Sequence, residues 1–355
     1  MKLLTVNPGS TSTKIAVYED LKPVLTSTIR HSVEDLAPFE RVQDQFEMRR
    51  NLVLDELKRD GISLDFDAVV GRGGLLKPIA GGVYEVNDVM LREMEHPLRS
   101  HACNLGCRIA YDIASTIPGC RAFMADPGVV DELDDVARVS GSPLMPRITT
   151  WHALNQRAIA RRYASEECGT LTYEDLNLII CHLGGGISVG AHRHGRCIDV
   201  NNAFDGEGPF SPERAGSLPA GALIDLCYSG KYTIHELKKR ISGKAGLASH
   251  LGTTDVAEIV RRIENGDEHA KLILDAMIYN IAKSIGGAAV ALCGKVDAIL
   301  LTGGIAHSTY VTDALKDRVS FLAPVYIYAG EDEMLALAQN GESALKGEIE
   351  IKEYV

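Results

Sequence analysis

Residues 177–216 read NLIICHLGGGISVGAHRHGRCIDVNNAFDGEGPFSPERAG. An apolar strand over 178–181 runs into Gly184, Gly185 and Gly186, and further strands follow at 187–191 and 197–200. Glycine lets backbone approach a ligand closely. Bare N–H groups in a concave turn make an anion cradle, with phosphate as the natural guest. Taken alone, the triple glycine is equally a tight hairpin that binds nothing.

A second copy changes the balance. The strand over 3–6 leads into Asn7-Pro8-Gly9-Ser10-Thr11-Ser12-Thr13-Lys14, and 15–18 resumes as a strand. With Asn7 aligned to His182, Gly9 falls on Gly184. Two such hairpins half a chain apart predict a duplicated fold clasping a phosphate. Gly303-Gly304, after the apolar run 298–301, makes a third glycine turn.

The chain has 355 residues, enough for two domains, and an ordinary balance of 45% hydrophobic and 24% charged residues. Its net charge of −11 argues against nucleic acid or an anionic membrane as a partner, but not against a small anionic substrate met by local arginines. The eight cysteines form no CxxC pair and read as reduced thiols of a cytoplasmic protein. His101, Cys103 and Cys107 have metal-ligand chemistry, yet also fit ordinary helix positions. The amino terminus carries no signal-peptide pattern, and the apolar segment 272–293 is broken by Asp275, Lys283 and Gly286-Gly287, so it reads as a buried helix.

Along the chain, 33–58 has helix formers with one apolar face, and 66–70 is a strand entering Gly71-Arg72-Gly73-Gly74. An arginine at a strand's carboxyl end is well placed for a ligand, with a surface loop charge as the plainer alternative. The strand 121–125 ends in Asp126, a candidate for Mg²⁺ or the N-cap of a helix from Val129. Pro143 and Pro146 mark a boundary. A helix is expected from Trp151-His152 to about 163, where His152 by itself reads as a packed surface residue. Arg214 lies in a loop over 205–216. Helices are expected at 220–229, 234–241, 255–265, 269–293 and 335–345, with strands at 298–301 and 325–328.

Taken in order, VNPGSTSTK, GRGGLLKPIAGGVY, ADPGVVDEL, WHALNQ, HLGGGIS, SPERAG, LTGGIAHS and GEDEMLALA resemble the acetate and butyrate kinase (acetokinase) family, its butyrate kinases above all. The resemblance spans nearly the whole chain. It implies an α/β protein of duplicated actin-like, ribonuclease H-like fold, with two βββαβαβα domains around a nucleotide. One domain would be 1–146 plus 334–355, and the other 147–333. It also implies a homodimer or higher homo-oligomer that uses ATP/ADP and Mg²⁺. The reaction would be reversible phosphoryl transfer between ATP and butanoate. Branched or other short acids such as isobutyrate, propionate or acetate are the alternative substrates, and a non-catalytic actin-fold nucleotide switch is the alternative from another class.

By the same resemblance, Arg72 and Arg214 would grip the substrate and the transferring phosphoryl group, and His152 would hydrogen-bond that group. Such a site fits the chemistry. An ionised carboxylate is already a nucleophile, so the reaction needs positive charge rather than a base. Asp126 and Glu333 would organise Mg²⁺ with Asn7, although Glu331 and Asp332 adjoin Glu333. Asn7, Ser10, Ser12 and Lys14 match the first phosphate hairpin, and His182 with Gly184, Gly185 and Gly186 the second. Gly303, Gly304 and Ile305 match the loop under adenosine, and Asp255 falls where the family contacts ribose or base. Acetate kinases of the family carry HLGNG and two valines after the substrate arginine. Gly73 and Gly74 are therefore expected to open space for a longer acyl tail, with Trp151 as another wall.

Overall fold

The computed structural model describes residues 1–97 and 100–355. They form two compact units, Met1–Val130 with Asp332–Val355, and Asp131–Glu331.

In the first unit, β1 (Lys2–Pro8) and β2 (Ser12–Glu19), largely buried, and the outer β3 (Lys22–Arg30) form an antiparallel meander. β4 (Ala68–Arg72) then lies parallel to β1, and β6 (Arg121–Ala125) parallel to β4. The short β5 (Val83–Glu85) and β12 (Ile351–Lys352) complete a seven-stranded sheet ordered β12-β5-β6-β4-β1-β2-β3. β1 and β4 are buried at nearly every position, as strands covered on both faces are. Helices Phe46–Arg59 and Leu105–Ser115 carry Val53, Leu57, Ile109 and Ile113 into one core. Helix Glu333–Lys346 packs on β1 and β4, where a Cβ at Gly341 would meet Val70 Cγ2 at 2.5 Å. The segment expected as one helix over 33–58 is divided. A four-residue helix, Val33–Leu36, is capped by Ser32, Pro38 follows, and the main helix begins only at Phe46.

The second unit repeats the plan. β7 (Asn177–Leu183), β8 (Ile187–Arg193) and β9 (Arg196–Val200) form a meander. β10 (Ala298–Gly303) joins β7 in parallel, and β11 (Val325–Ala329) joins β10, giving the order β11-β10-β7-β8-β9. Strand for strand this matches β6-β4-β1-β2-β3. Helix Glu268–Ala291 covers one face of this sheet with Met277, Ile281 and Ile285, and helix Ala153–Glu167 covers the other with Ile159 and Tyr163.

The unit boundary falls after Val130, ahead of the proline pair expected to mark it at 146. Residues 131–146 are already fastened to the second sheet. Asp134 donates its N–H to the Ile198 carbonyl at 2.9 Å and pairs with Arg193, while Arg147 binds the Ala137 carbonyl and Asp199. No helix starts at Val129; the next one is Asp135–Arg138. Among the described residues, no helix is long and apolar enough to cross a membrane.

Candidate functional site

Each unit carries its own set of candidate groups. In the first, β1 and β2 hold Asn7 opposite Lys14 across the turn that contains Ser10. Ser10 and Lys14 are exposed, Ser12 is half-buried and Asn7 is buried. Sequence reasoning missed the group beneath this turn. Arg49 is 0% exposed, and its guanidinium donates to the carbonyls of Gly9 (2.8 Å), Ser10 (3.1 Å) and Ser12 (3.1 Å) and to Thr13 Oγ1 (3.2 Å). Burial lowers its pKa to about 10, so it stays a cation, held by neutral acceptors. The signal was present in the sequence: a charged residue between Phe46 and Val53, on a helical face otherwise apolar.

At the carboxyl end of β4, Arg72 forms an ion pair with Glu333. Asn7 Nδ2 donates to the same carboxylate oxygen at 2.8 Å. The structure thus brings Asn7, Arg72 and Glu333 together. It also separates the three adjacent acids: Glu331 lies in the second unit, 3.1 Å from His182 Nε2. Asp126 is 1% exposed, with φ at 38°. It exchanges hydrogen bonds with Gly82, its Oδ1 accepting at 2.8 Å and its N–H donating at 3.0 Å. It caps no helix.

Gly73 and Gly74 do not open a pocket in the direction a side chain would take. A Cβ at Gly73 would meet Met124 Sδ at 2.7 Å and Pro127 Cβ at 2.5 Å, and one at Gly74 would meet Asn104 Cα at 2.7 Å. These glycines admit neighbouring protein, with Asn104 Oδ1 accepting the Leu75 N–H at 2.7 Å. Trp151 is likewise buried, packed edge-on to His192 with ring centres 5.7 Å apart. His101 Nδ1 lies 3.0 Å from Cys103 Sγ, and Cys107 belongs to the apolar core.

In the second unit, the triple glycine turns β7 into β8. Gly184 spends its N–H on the Gly186 carbonyl (3.1 Å), so the turn offers fewer bare donors than its sequence suggests. The Gly185 carbonyl accepts from Ser211 Oγ (2.6 Å) and from the Glu213 N–H (3.3 Å), fastening the SPERAG loop to the hairpin. Gly186 has a different use. A Cβ there would meet Arg214 Cζ at 2.7 Å, so the missing side chain is what lets the guanidinium lie against the turn. Arg214 also donates to the Ala203 carbonyl and sits 5.1 Å over the Phe204 ring. Burial lowers its pKa while Glu213 and Asp205 oppose that shift. It remains charged.

A cavity of about 890 Å³ opens beside the hairpin, and Gly184, Gly185, Asp255, Gly304, Ile305 and Tyr310 are among its lining. Its volume suits a nucleotide-sized ligand. Gly303, just before the lining residue Gly304, has φ at 89°, and a Cβ there would strike the Leu183 carbonyl oxygen. Asp255 also caps helix Val256–Glu264, accepting from the Ala257 and Glu258 N–H groups. His152 and His182 stack, with ring centres 3.8 Å apart and planes 11° off parallel. His152 Nδ1 is 2.8 Å from Ser188 Oγ, and His182 Nδ1 is 2.8 Å from Asn155 Oδ1.

A family model described as "Acetokinase family" matches residues 152–346. The chain is 66% identical over 354 residues to a probable butyrate kinase of Bacteroides thetaiotaomicron, covering 100% of both chains. The chain belongs to the acetokinase family. It is also 52% identical over 355 residues to butyrate kinase 2 of Clostridium acetobutylicum, covering 99% of each. In structure it is similar to Porphyromonas gingivalis acetate kinase, with a TM-score of 0.77 at 20% identity, over 97% of this chain and 99% of that one. The duplicated sheets are those of the actin-like fold, and the family's members are carboxylate kinases that use ATP and ADP.

Proposed function

We propose that this acetokinase-family protein is a butyrate kinase, interconverting ATP and butanoate with ADP and butanoyl phosphate. Full-length identity to proteins named butyrate kinase carries the reading. The chemistry of the groups supports it. A carboxylate approaching a triphosphate meets repulsion, and the transferring phosphoryl group spreads charge over its oxygens. Arg72 and Arg214 would supply fixed positive charge there, and His152 a directed hydrogen bond. The cavity beside Gly184 and Gly304 would take the nucleotide, with its base near Ile305 and its ribose near Asp255.

Mg²⁺ belongs to this reading. Among the described residues, no three His, Cys, Asp or Glu side chains form a metal cage. A Mg²⁺ arriving with nucleotide needs only one or two carboxylates besides phosphates and water. Asp126 and Glu333 have the right hard-oxygen chemistry. Asn7 would offer Oδ1, since its Nδ2 is given to Glu333. Bound there, the ion would neutralise phosphate charge. Self-association also fits: helix Ala220–Tyr228, AGALIDLCY, buries none of its residues.

The test is acyl phosphate formation, trapped with hydroxylamine, across straight and branched acids from two to five carbons. Butanoate should give the highest kcat/KM. Activity peaking at isobutyrate, propionate or acetate would move the protein to another carboxylate kinase, and no acyl phosphate from any acid would sink the enzyme reading.

A further inference from the structure

A buried chain of hydrogen bonds reaches His152 along the face of the second sheet that helix Ala153–Glu167 covers. Tyr173 OH is 2.7 Å from His192 Nδ1, and His192 Nε2 is 2.8 Å from Gln156 Oε1. Gln156 Nε2 is 2.8 Å from Ser188 Oγ, which is 2.8 Å from His152 Nδ1. Tyr173, His192, Gln156 and Ser188 are each at most 1% exposed, so bulk water cannot substitute for any partner.

The direction of every proton follows from one fixed point. The Ser188 carbonyl can only accept, and Gln156 Nε2 donates to it at 3.2 Å. The amide is thereby oriented, and its Oε1 must accept from a proton on His192 Nε2. Burial, and then Arg157, depress the His192 pKa to about 3. The ring is therefore neutral, its Nδ1 is bare, and the Tyr173 hydroxyl donates to it. At the other end, Ser188 Oγ accepts from Gln156 and, at 3.5 Å, faces the His152 N–H. Its own proton is buried with it and must still find an acceptor. Among the described residues, the remaining acceptor it meets is His152 Nδ1, so the hydroxyl proton points there.

We infer that Tyr173, His192, Gln156 and Ser188 are positioning residues that lock His152 in the neutral tautomer with its proton on Nε2. Every donor in the chain points the same way, and such a series polarises its members cooperatively. The stack on His182 fixes the plane of the His152 ring. The product is one aimed N–H, suited to an anionic oxygen; the opposite tautomer would present a lone pair to that charge. The catalytic value of the lock rests on the proposed role of His152, but the lock itself does not.

The test separates the two. Full-length protein labelled with ¹⁵N-histidine is read by long-range ¹H–¹⁵N NMR without nucleotide, with His152 assigned from a His152→Gln spectrum. The inference requires the Nε2–H tautomer in the unmodified protein and a mixed or Nδ1–H population in Ser188→Ala. Ser188→Thr, which keeps the hydroxyl, should restore the lock. An Nδ1–H or mixed His152 in the unmodified protein overturns the inference, as does an unchanged tautomer in Ser188→Ala. Loss of one aimed donor costs ~10²–10³-fold in rate. Releasing only its tautomer should cost part of that, about 10-fold in kcat with KM for ATP nearly unchanged, and Ser188→Thr should recover the rate. If the spectra behave as required but His152→Gln turns over normally, the lock stands and the catalytic role of His152 falls.

Discussion

Gly186→Ala should disable the enzyme without unfolding it. The added Cβ would lie 2.7 Å from Arg214 Cζ, whereas ordinary contact begins near 3.4 Å. The guanidinium carbon must therefore retreat by at least the difference, 3.4 − 2.7 = 0.7 Å. Misplacing a reacting contact by 1 Å can cost ~10²-fold, or about 2.7 kcal/mol of barrier. The fold should tolerate the change. Gly186 is not among the positive-φ glycines, and the atoms met first belong to the end of a flexible side chain. Stability should fall by about 1 kcal/mol, the worth of the bond to the Ala203 carbonyl. The assay is kcat for hydroxamate formation in Gly186→Ala, Arg214→Ala and the double variant. If the glycine acts through the arginine, the double variant should be no slower than Arg214→Ala. A folded Gly186→Ala enzyme with near-normal kcat, or a fully additive double variant, would refute the reasoning.

Gly74→Val should lower activity toward acetate and butanoate alike, because its side chain would run into Asn104 rather than an acyl pocket; an unequal loss in the ratio of the two kcat/KM values would restore the pocket reading. Glu333→Gln should raise the Mg²⁺ needed for half-maximal rate several-fold with a melting temperature within a few degrees, read from a Mg²⁺ titration and a thermal scan. Acid should weaken the fold through His192, whose folded pKa of about 3 lies below its ordinary 6.5. Its contribution is complete above pH 6.5 and is lost as pH falls toward 3, at up to about 1.4 kcal/mol per pH unit. Equilibrium unfolding at pH 7.5 and 5.5 should therefore show His192→Gln losing about 1.4 kcal/mol less than the unmodified protein. His31, also held low by burial and then by Arg49, acts in both proteins and cancels.

What could be read in the sequence was local. Strand, glycine turn and strand repeat at Asn7–Lys14 and His182–Ser188, and the structure gives both the same partners, an antiparallel neighbour and a parallel one. Apolar periodicity placed helices such as Val256–Glu264 and Glu333–Lys346 within a few residues. What could not be read depends on residues distant in sequence. Gly74 looks like open space until Asn104 is known to fill it, and Gly186 looks like a phosphate contact until Arg214 arrives from the next loop. Pro143 and Pro146 mark a change of direction, but the chain had already joined the second sheet through Asp134. Ser188 and His192 alternate along β8 among apolar neighbours, a pattern that betrays buried polar contacts without naming their partners.

Arg49 gives the first hairpin a particular thermodynamic character. Flexible phosphate loops commonly become ordered around their guest, so that part of the binding free energy goes into freezing the chain. Here the carbonyls of Gly9, Ser10 and Ser12 are clamped from inside the unit before any ligand arrives. Fixing backbone costs about 1–2 kcal/mol per residue, so roughly 4–8 kcal/mol for the four residues 9–12 is settled during folding. If this turn holds a phosphate, as its resemblance implies, the departure of that phosphate would return none of that entropy. Such a turn would neither collapse behind a leaving product nor have to be rebuilt for the next substrate, and the same geometry would serve both directions of a reversible reaction.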